Sequence, residues 1–303
     1  MRVASSVTEL IGGTPMLRLR RLTGVGDASV YAKLESCNIG GSVKDRTALY
    51  LVEYAEASGR LSRGKVILEA TSGNTGAALA MIGAAKGYRV ALVMPESVSA
   101  EKLRMARAYD ADVILTPAAE GTGGAVEVKR RMLAEDPERY VDIDQFSEPA
   151  NILAHYQTLG REIMEQLGGR VDSVVVGIGT SGTGAGVSMR VKEQNPEARI
   201  VGVTPRLGVP IPGLRNPSEP NPTRLFRPEY FDEVVEISRD ELPGVVETAR
   251  CVARHEGLLV GYSGGAVLYQ ALREARRIGA GRNVVAIVAD GGEKYLSTDL
   301  FID

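Results

Sequence analysis

The chain has 303 residues, 44% of them hydrophobic and 24% charged, with 36 Lys and Arg against 38 Asp and Glu for a net charge of -2. That is enough chain for a large core divided into two lobes, and the charge balance offers no basic face to nucleic acid. No apolar run approaches the roughly 18 residues of a membrane span and no signal-peptide core opens the chain, so a cytoplasmic protein without membrane contact is expected. The two cysteines, Cys37 and Cys251, lack metal-ligand spacing, and His155 and His255 are the two histidines, so neither a disulfide framework nor a metal site is indicated.

In chain order, the first β-branched run is "VYAKLE" at 30–35. "NIGGSVKDRTALY" follows, a Gly-Gly turn that leads into a helix at Lys44. A lysine at a helix N-terminus meets the positive end of the dipole, which lowers its pKa and favours the nucleophilic neutral amine that Schiff-base chemistry needs. The strand "KVILEA" at 65–70 then runs into "TSGNTG", where Thr71, Ser72, Asn74 and Thr75 present hydroxyl and amide groups at the start of the helix 75–87. Such a turn suits a carboxylate, and it also suits an ordinary N-cap. Strands at 89–95 and 112–117 flank a helix at 100–111. A composition change at Asp144 to Asn151, "DQFSEPAN", marks a lobe boundary before the helix 151–168.

Beyond that boundary the strand 173–179 ends in "GIGTSG", Gly177 to Gly182, before the helix 184–195. A dinucleotide site would need an acidic residue at the end of the next strand, 199–205, where Thr204 stands instead. The turn therefore suits a single phosphate. "GVPIPGLRNPSEPNPT" at 208–223, with five prolines, reads as a loop carrying one cation, Arg215, and the last strand is 283–290. This β-α alternation predicts an α/β protein with two open twisted sheets, mostly parallel and covered by helices, with ligands at the carboxyl ends of the strands.

"IGGTPMLRL", "GGSVKDR", "EATSGNTG", "VMPESVSAEK", "QFSEPANILAHYQT", "GIGTSGTGAG", "EGLLVGYSGGA" and "GGEKYLST" together resemble, in this order, the cysteine synthase and cystathionine β-synthase group of pyridoxal-phosphate enzymes. The resemblance implies the tryptophan-synthase β-like fold, fold type II, with the active site between two lobes. We assign residues 1–12 and 35–148 to a smaller, mobile N-terminal lobe and residues 13–34 and 149–303 to a larger one that binds the cofactor phosphate. It implies that Lys44 forms the Schiff base and then moves the substrate Cα proton. Asn74 would meet the cofactor ring oxygen, Gly179, Thr180, Ser181, Gly182 and Thr183 its phosphate, and Ser263 its pyridine nitrogen. Thr71, Ser72, Thr75 and Gln145 would hold the substrate carboxylate. The implied reaction is β-replacement on an activated serine through an α-aminoacrylate, with a sulfur nucleophile giving L-cysteine and no metal. The sulfur donor would be sulfide or a thiocarboxylate carrier protein, and the assembly a homodimer.

Four positions depart from the pattern or call for comment. Ile39, Tyr262 and Thr204 are expected to alter packing more than chemistry, with Tyr262 able to reshape the cofactor pocket. Cys37, near the Lys44 turn, is read as a small buried hydrophobe rather than a catalytic thiol. The "LRN" context of Arg215 resembles the O-phosphoserine-dependent branch, and a guanidinium matches a phosphate dianion in charge and shape. O-acetylserine sulfhydrylase and cystathionine β-synthase are the alternatives within the group. Serine or threonine dehydratase fits "TSGNTG" and "QFSEPAN" less well. Outside enzymes, the alternative is a silent scaffold that binds a partner's C-terminal peptide.

Overall fold

The computed structural model describes residues 3–71, 73–220 and 222–302. In chain order its regular elements are β1 (Met16–Arg18), β2 (Ser29–Leu34), α1 (Lys44–Ala57), β3 (Val66–Ala70), α2 (Asn74–Lys86), β4 (Arg89–Pro95), α3 (Ala100–Ala108), β5 (Asp112–Thr116), α4 (Gly121–Glu135) and β6 (Tyr140–Asp142). The second half contributes α5 (Ala150–Ala154), a π-helical turn (His155–Gly160), α6 (Arg161–Gln166), β7 (Ser173–Gly177), α7 (Gly182–Gln194), β8 (Arg199–Pro205), β9 (Glu233–Ile237), α8 (Leu242–Glu256), α9 (Tyr262–Ile278) and β10 (Asn283–Val288).

The strands form two sheets, β1-β2-β10-β7-β8-β9 and β5-β4-β3-β6. All pairings are parallel except that of β1 with β2. The seven strands expected from the sequence are present, and β1, β6 and β9 are added to them. Parallel strands covered on both faces bury both sets of alternating side chains, which explains their near-continuous apolar runs. Val175 and Ala286 face a core with Ala249 of α8 and Ala271 of α9, whereas Val174, Val176 and Ile287 face one with Ile163 of α6 and Val187 of α7. The small sheet is built the same way. Ile67 and Leu92 pack on Leu51 of α1 and Leu79 of α2, and Leu68 and Val93 pack on Ala125 of α4.

Helix α1 joins these cores. Val43, just before it, belongs to the α6/α7 core of the large sheet, while Ala48 and Leu51 belong to the core of the small one. Lys44 therefore stands at the seam. The helix expected over 151–168 is interrupted by the π-helical turn at His155–Gly160. Cys37 corrects an expectation: it is exposed. The short 3-10 turn that holds it points Glu35 and Asn38 inward, which leaves Cys37 on the outside. No helix among the described residues is long and apolar enough to cross a membrane.

Candidate active site

The carboxyl ends of β7 and β10 and the start of α1 surround a cavity lined by Lys44, Gly179, Thr180, Ser181, Gly213 and Ser263, among others. Lys44 opens α1, and its ammonium pKa is lowered to about 8. Burial at the seam is the main cause, opposed by the negative charge of Asp290. The sequence pointed to the helix dipole as the cause. The structure assigns the shift to desolvation.

The turn between β7 and α7 forms the cavity floor. The first N–H groups of α7 have no acceptor within the helix. Ser181, the N-cap, adopts the left-handed conformation with φ 70°, and its buried Oγ has no partner among the described residues. A Cβ on Gly179 would lie 2.9 Å from the carbonyl oxygen of Gly213, so a side chain there would crowd the cradle. A strained serine with an unspent hydroxyl beside free N–H groups fits a phosphate monoester. Thr204 is buried near the end of β8, and its hydroxyl donates to the Arg215 carbonyl at 2.9 Å. No acid occupies the ribose position.

Two residues that the sequence reading left without a role hold this floor to α1. Asn151 Nδ2 donates to Thr180 Oγ1 at 3.0 Å and to the Gln145 carbonyl at 2.8 Å, while Thr47 Oγ1 donates to Asn151 Oδ1 at 3.2 Å. His155 Nε2 lies 3.0 Å from Thr47 Oγ1 and 3.2 Å from Thr183 Oγ1. Burial, then Lys44 and Arg46, pushes His155 well below its ordinary pKa, so the ring is neutral. Both residues lie in the quoted "QFSEPANILAHYQT", but nothing in their spacing marks them as polar links within a helical pattern.

The second turn joins β3 to α2. Thr75 Oγ1 donates to Gln145 Oε1 at 2.8 Å, and Thr71 Oγ1 accepts from the Gly73 N–H at 3.1 Å. Ser72 lies outside the described residues. Glu69, buried in β3, accepts from the Gln145 N–H at 3.4 Å and pairs with Lys129 of α4 at 3.3 Å. Its pKa is raised by burial and held in check by Lys129. Asn74 Nδ2 donates to Asp290 Oδ2 at 2.7 Å, and the Lys294 ammonium donates to Asn74 Oδ1 at 3.4 Å.

Ser263, the second residue of α9, lines the cavity next to Gly213. Tyr262 turns away from it. Its hydroxyl bonds Asp299 and Thr298, and its ring meets Tyr295 edge-on with centroids 5.4 Å apart. Arg215 does not line the cavity, although Gly213 and Leu214 do. Its N–H donates to the Ile178 carbonyl at 2.9 Å. Its guanidinium pairs with Glu219 at 3.1 Å, donates to the Pro220 carbonyl at 3.1 Å and lies 5.3 Å over the Phe146 ring, beside Gln145. Thr223 Oγ1, from the same Pro-rich loop, bonds the carbonyls of both Thr180 and Phe146. That loop therefore touches the β7–α7 turn and the segment beside Gln145.

Residues 7–290 match the family model described as pyridoxal-phosphate dependent enzyme. The cysteine synthase of Staphylococcus aureus strain Mu50 is 39% identical over 308 residues, covering 98% of this chain and 96% of the relative. Among solved structures, the cysteine synthase (OASS) of Entamoeba histolytica has a TM-score of 0.92 at 36% identity, over 99% of this chain and 91% of that one. O-ureido-L-serine synthase also has a TM-score of 0.92 at 36% identity, over 100% and 97%. From this full-length likeness, with which the buried lysine at the seam and the phosphate-sized turn agree, it follows that the chain belongs to the pyridoxal-phosphate dependent enzymes, in their cysteine synthase group.

Proposed function

We propose that the protein makes L-cysteine by β-replacement on an activated serine, with O-phosphoserine as the preferred substrate and a sulfur nucleophile as its partner. The bound pyridoxal phosphate supplies an electron sink for the bonds at the substrate Cα. Gly179 to Thr183 hold its phosphate, Asn74 its ring oxygen and Ser263 its pyridine nitrogen. A neutral hydroxyl at that nitrogen does not enforce ring protonation, which moderates the sink and favours chemistry at Cβ over transamination. Lys44 Nζ, an amine whose pKa is about 8, moves the Cα proton. Thr71, Ser72, Thr75 and Gln145 orient the substrate through its carboxylate. Closure of the small lobe (1–12 and 35–148) over the larger one (13–34 and 149–303) excludes water. Across the reaction the bond from Cβ to the phosphate oxygen breaks and a bond from Cβ to sulfur forms, with phosphate as the leaving group. The sulfur arrives as sulfide or from a thiocarboxylate carrier protein, and the working form is a cytoplasmic homodimer.

The observation that carries the substrate choice is the place of Arg215, in a loop bonded to the phosphate cradle at Thr180 and to Phe146 beside Gln145. A guanidinium there can exchange Glu219 for a substrate phosphate. Charge-assisted hydrogen bonds contribute roughly 1.5–3 kcal/mol each, so losing two costs on the order of a hundredfold or more. Arg215→Ala is expected to lose that factor in kcat/KM with O-phosphoserine and to change little with O-acetylserine. Equal losses on both substrates would defeat the assignment. The likeness to an enzyme named for OASS supports O-acetylserine as the second reading, and the same pair of assays decides between them.

A further inference from the structure

We propose that Lys102, on α3, is the cationic partner of the substrate α-carboxylate and so a specificity-determining residue for the reaction. This rests on the reading that the Thr71 turn and Gln145 take that carboxylate. Lys102 is 7% exposed. Among the described residues its ammonium makes one hydrogen bond, to Tyr295 Oη at 3.1 Å, and lies 4.4 Å from the centroid of the same ring. No carboxylate among the described residues forms an ion pair with it, and within that set two of its three N–H donors are unspent.

Burial lowers its pKa, Asp290 and Glu101 oppose that shift, and the Lys294 ammonium adds to it. Asp290 Oδ2 is taken by Asn74 Nδ2 and Tyr295 Oη, both at 2.7 Å, its buried Oδ1 has no partner among the described residues, and its charge acts on Lys44 and Lys294 as well. Glu101 faces outward to Ser297. A buried cation without an acid of its own is costly, and a ligand anion beside it offsets that cost.

The carboxylate turn adjoins this ammonium. A Cβ on Gly73 would lie 2.9 Å from Lys102 Cδ and 3.1 Å from its Nζ. A side chain at Gly73 would take the space that the lysine occupies. The sequence therefore keeps a side chain out of the turn and sets a cation beside it. Asn74, the next residue, begins α2, whose first N–H groups add to the attraction for an anion.

The test uses the holoenzyme and two probes, L-serine and its uncharged amide L-serinamide, titrated against the absorption of the bound cofactor. Lys102→Met is expected to weaken L-serine binding on the order of 10- to 100-fold, to leave L-serinamide unchanged, and to raise KM for the amino-acid substrate with kcat nearly constant. Lys102→Arg should recover most of the loss, and cofactor content with thermal melting checks that each variant is folded. If both probes weaken equally in Lys102→Met, the lysine is only a packing element and the proposal falls. It also falls if L-serine binds the variant as it binds the parent while Gln145→Ala loses affinity. If Gln145→Ala and Thr75→Ala bind L-serine normally too, the carboxylate turn itself has been misread and this inference goes with it.

Discussion

Lys44 shows how the place of one side chain in the fold changes its acidity. Its ammonium is lowered to about 8 by burial, with Asp290 resisting the shift. In apoprotein, acylation of Lys44 by an amine-directed reagent should therefore rise with pH to a midpoint near 8, well below the ordinary 10.5 of a lysine. Asp290→Asn removes the opposing negative charge and should move that midpoint lower still. A midpoint unmoved in the variant would show that Asp290 does not bear on the amine. The place of the lysine at a helix start was legible, because a Gly-Gly turn before a helix is a local signal. The cause of its shift was not, since desolvation depends on Val43 and Ala48 joining different cores.

Among the elements, α7 shows what close packing does for the phosphate cradle. A Cβ on Gly186 would lie 2.7 Å from the Tyr156 nitrogen and 2.8 Å from His155 Cβ, so α7 crosses the π-helical turn with backbone nearly touching backbone. His155 of that turn and Asn151 of α5 just before it reach Thr183 and Thr180 at the N-terminal end of the same helix. Gly186→Ala is expected to cost about 1–3 kcal/mol through overpacking and to weaken retention of the cofactor on dialysis, because the cradle moves with its helix. Retention equal to the parent's, with stability lowered, would separate the two effects and refute the link. The strand and helix of this unit could be read from "SVVVGIGTSG". The π-helical turn could not, because a helical pattern in the sequence is silent about the neighbour that presses on it. β1 and β6 escaped notice at three residues each, and β9 because Glu233 and Glu236 on an edge strand mask its short apolar pattern.

On the scale of the whole molecule, the two sheets meet through polar groups, and the best-connected of these is a buried ion network beside Lys44. Arg46 of α1 bonds Glu35, which follows β2, at 2.7 Å, and Glu162 of α6 at 2.6 Å, while Lys33 of β2 bonds Glu162 at 2.7 Å. The apolar side of α1 packs on the small sheet, so Arg46, with Thr47, fastens it to the large one. Sequence periodicity located both sheets but could not pair these charges, which lie up to 129 residues apart. Arg46→Met leaves the buried Glu35 without its cation and Glu162 with Lys33 alone, and should cost about 3–5 kcal/mol at neutral pH. The network also sets an acid limit. Burial alone would raise the Glu162 carboxyl, but Arg46 and Lys33 outweigh it and hold it at about 2, below its ordinary 4.5. The unfolded chain therefore binds the proton first as pH falls, so the stability Glu162 contributes is complete above about 4.5 and is lost as pH drops towards 2. Urea midpoints of the parent and of Glu162→Gln, measured from pH 7 down to pH 2, should accordingly differ most at neutral pH and converge below pH 4.5. Curves that stay parallel across that range would mean that Glu162 keeps its ordinary pKa in the folded protein and that the joint between the sheets is held by packing alone.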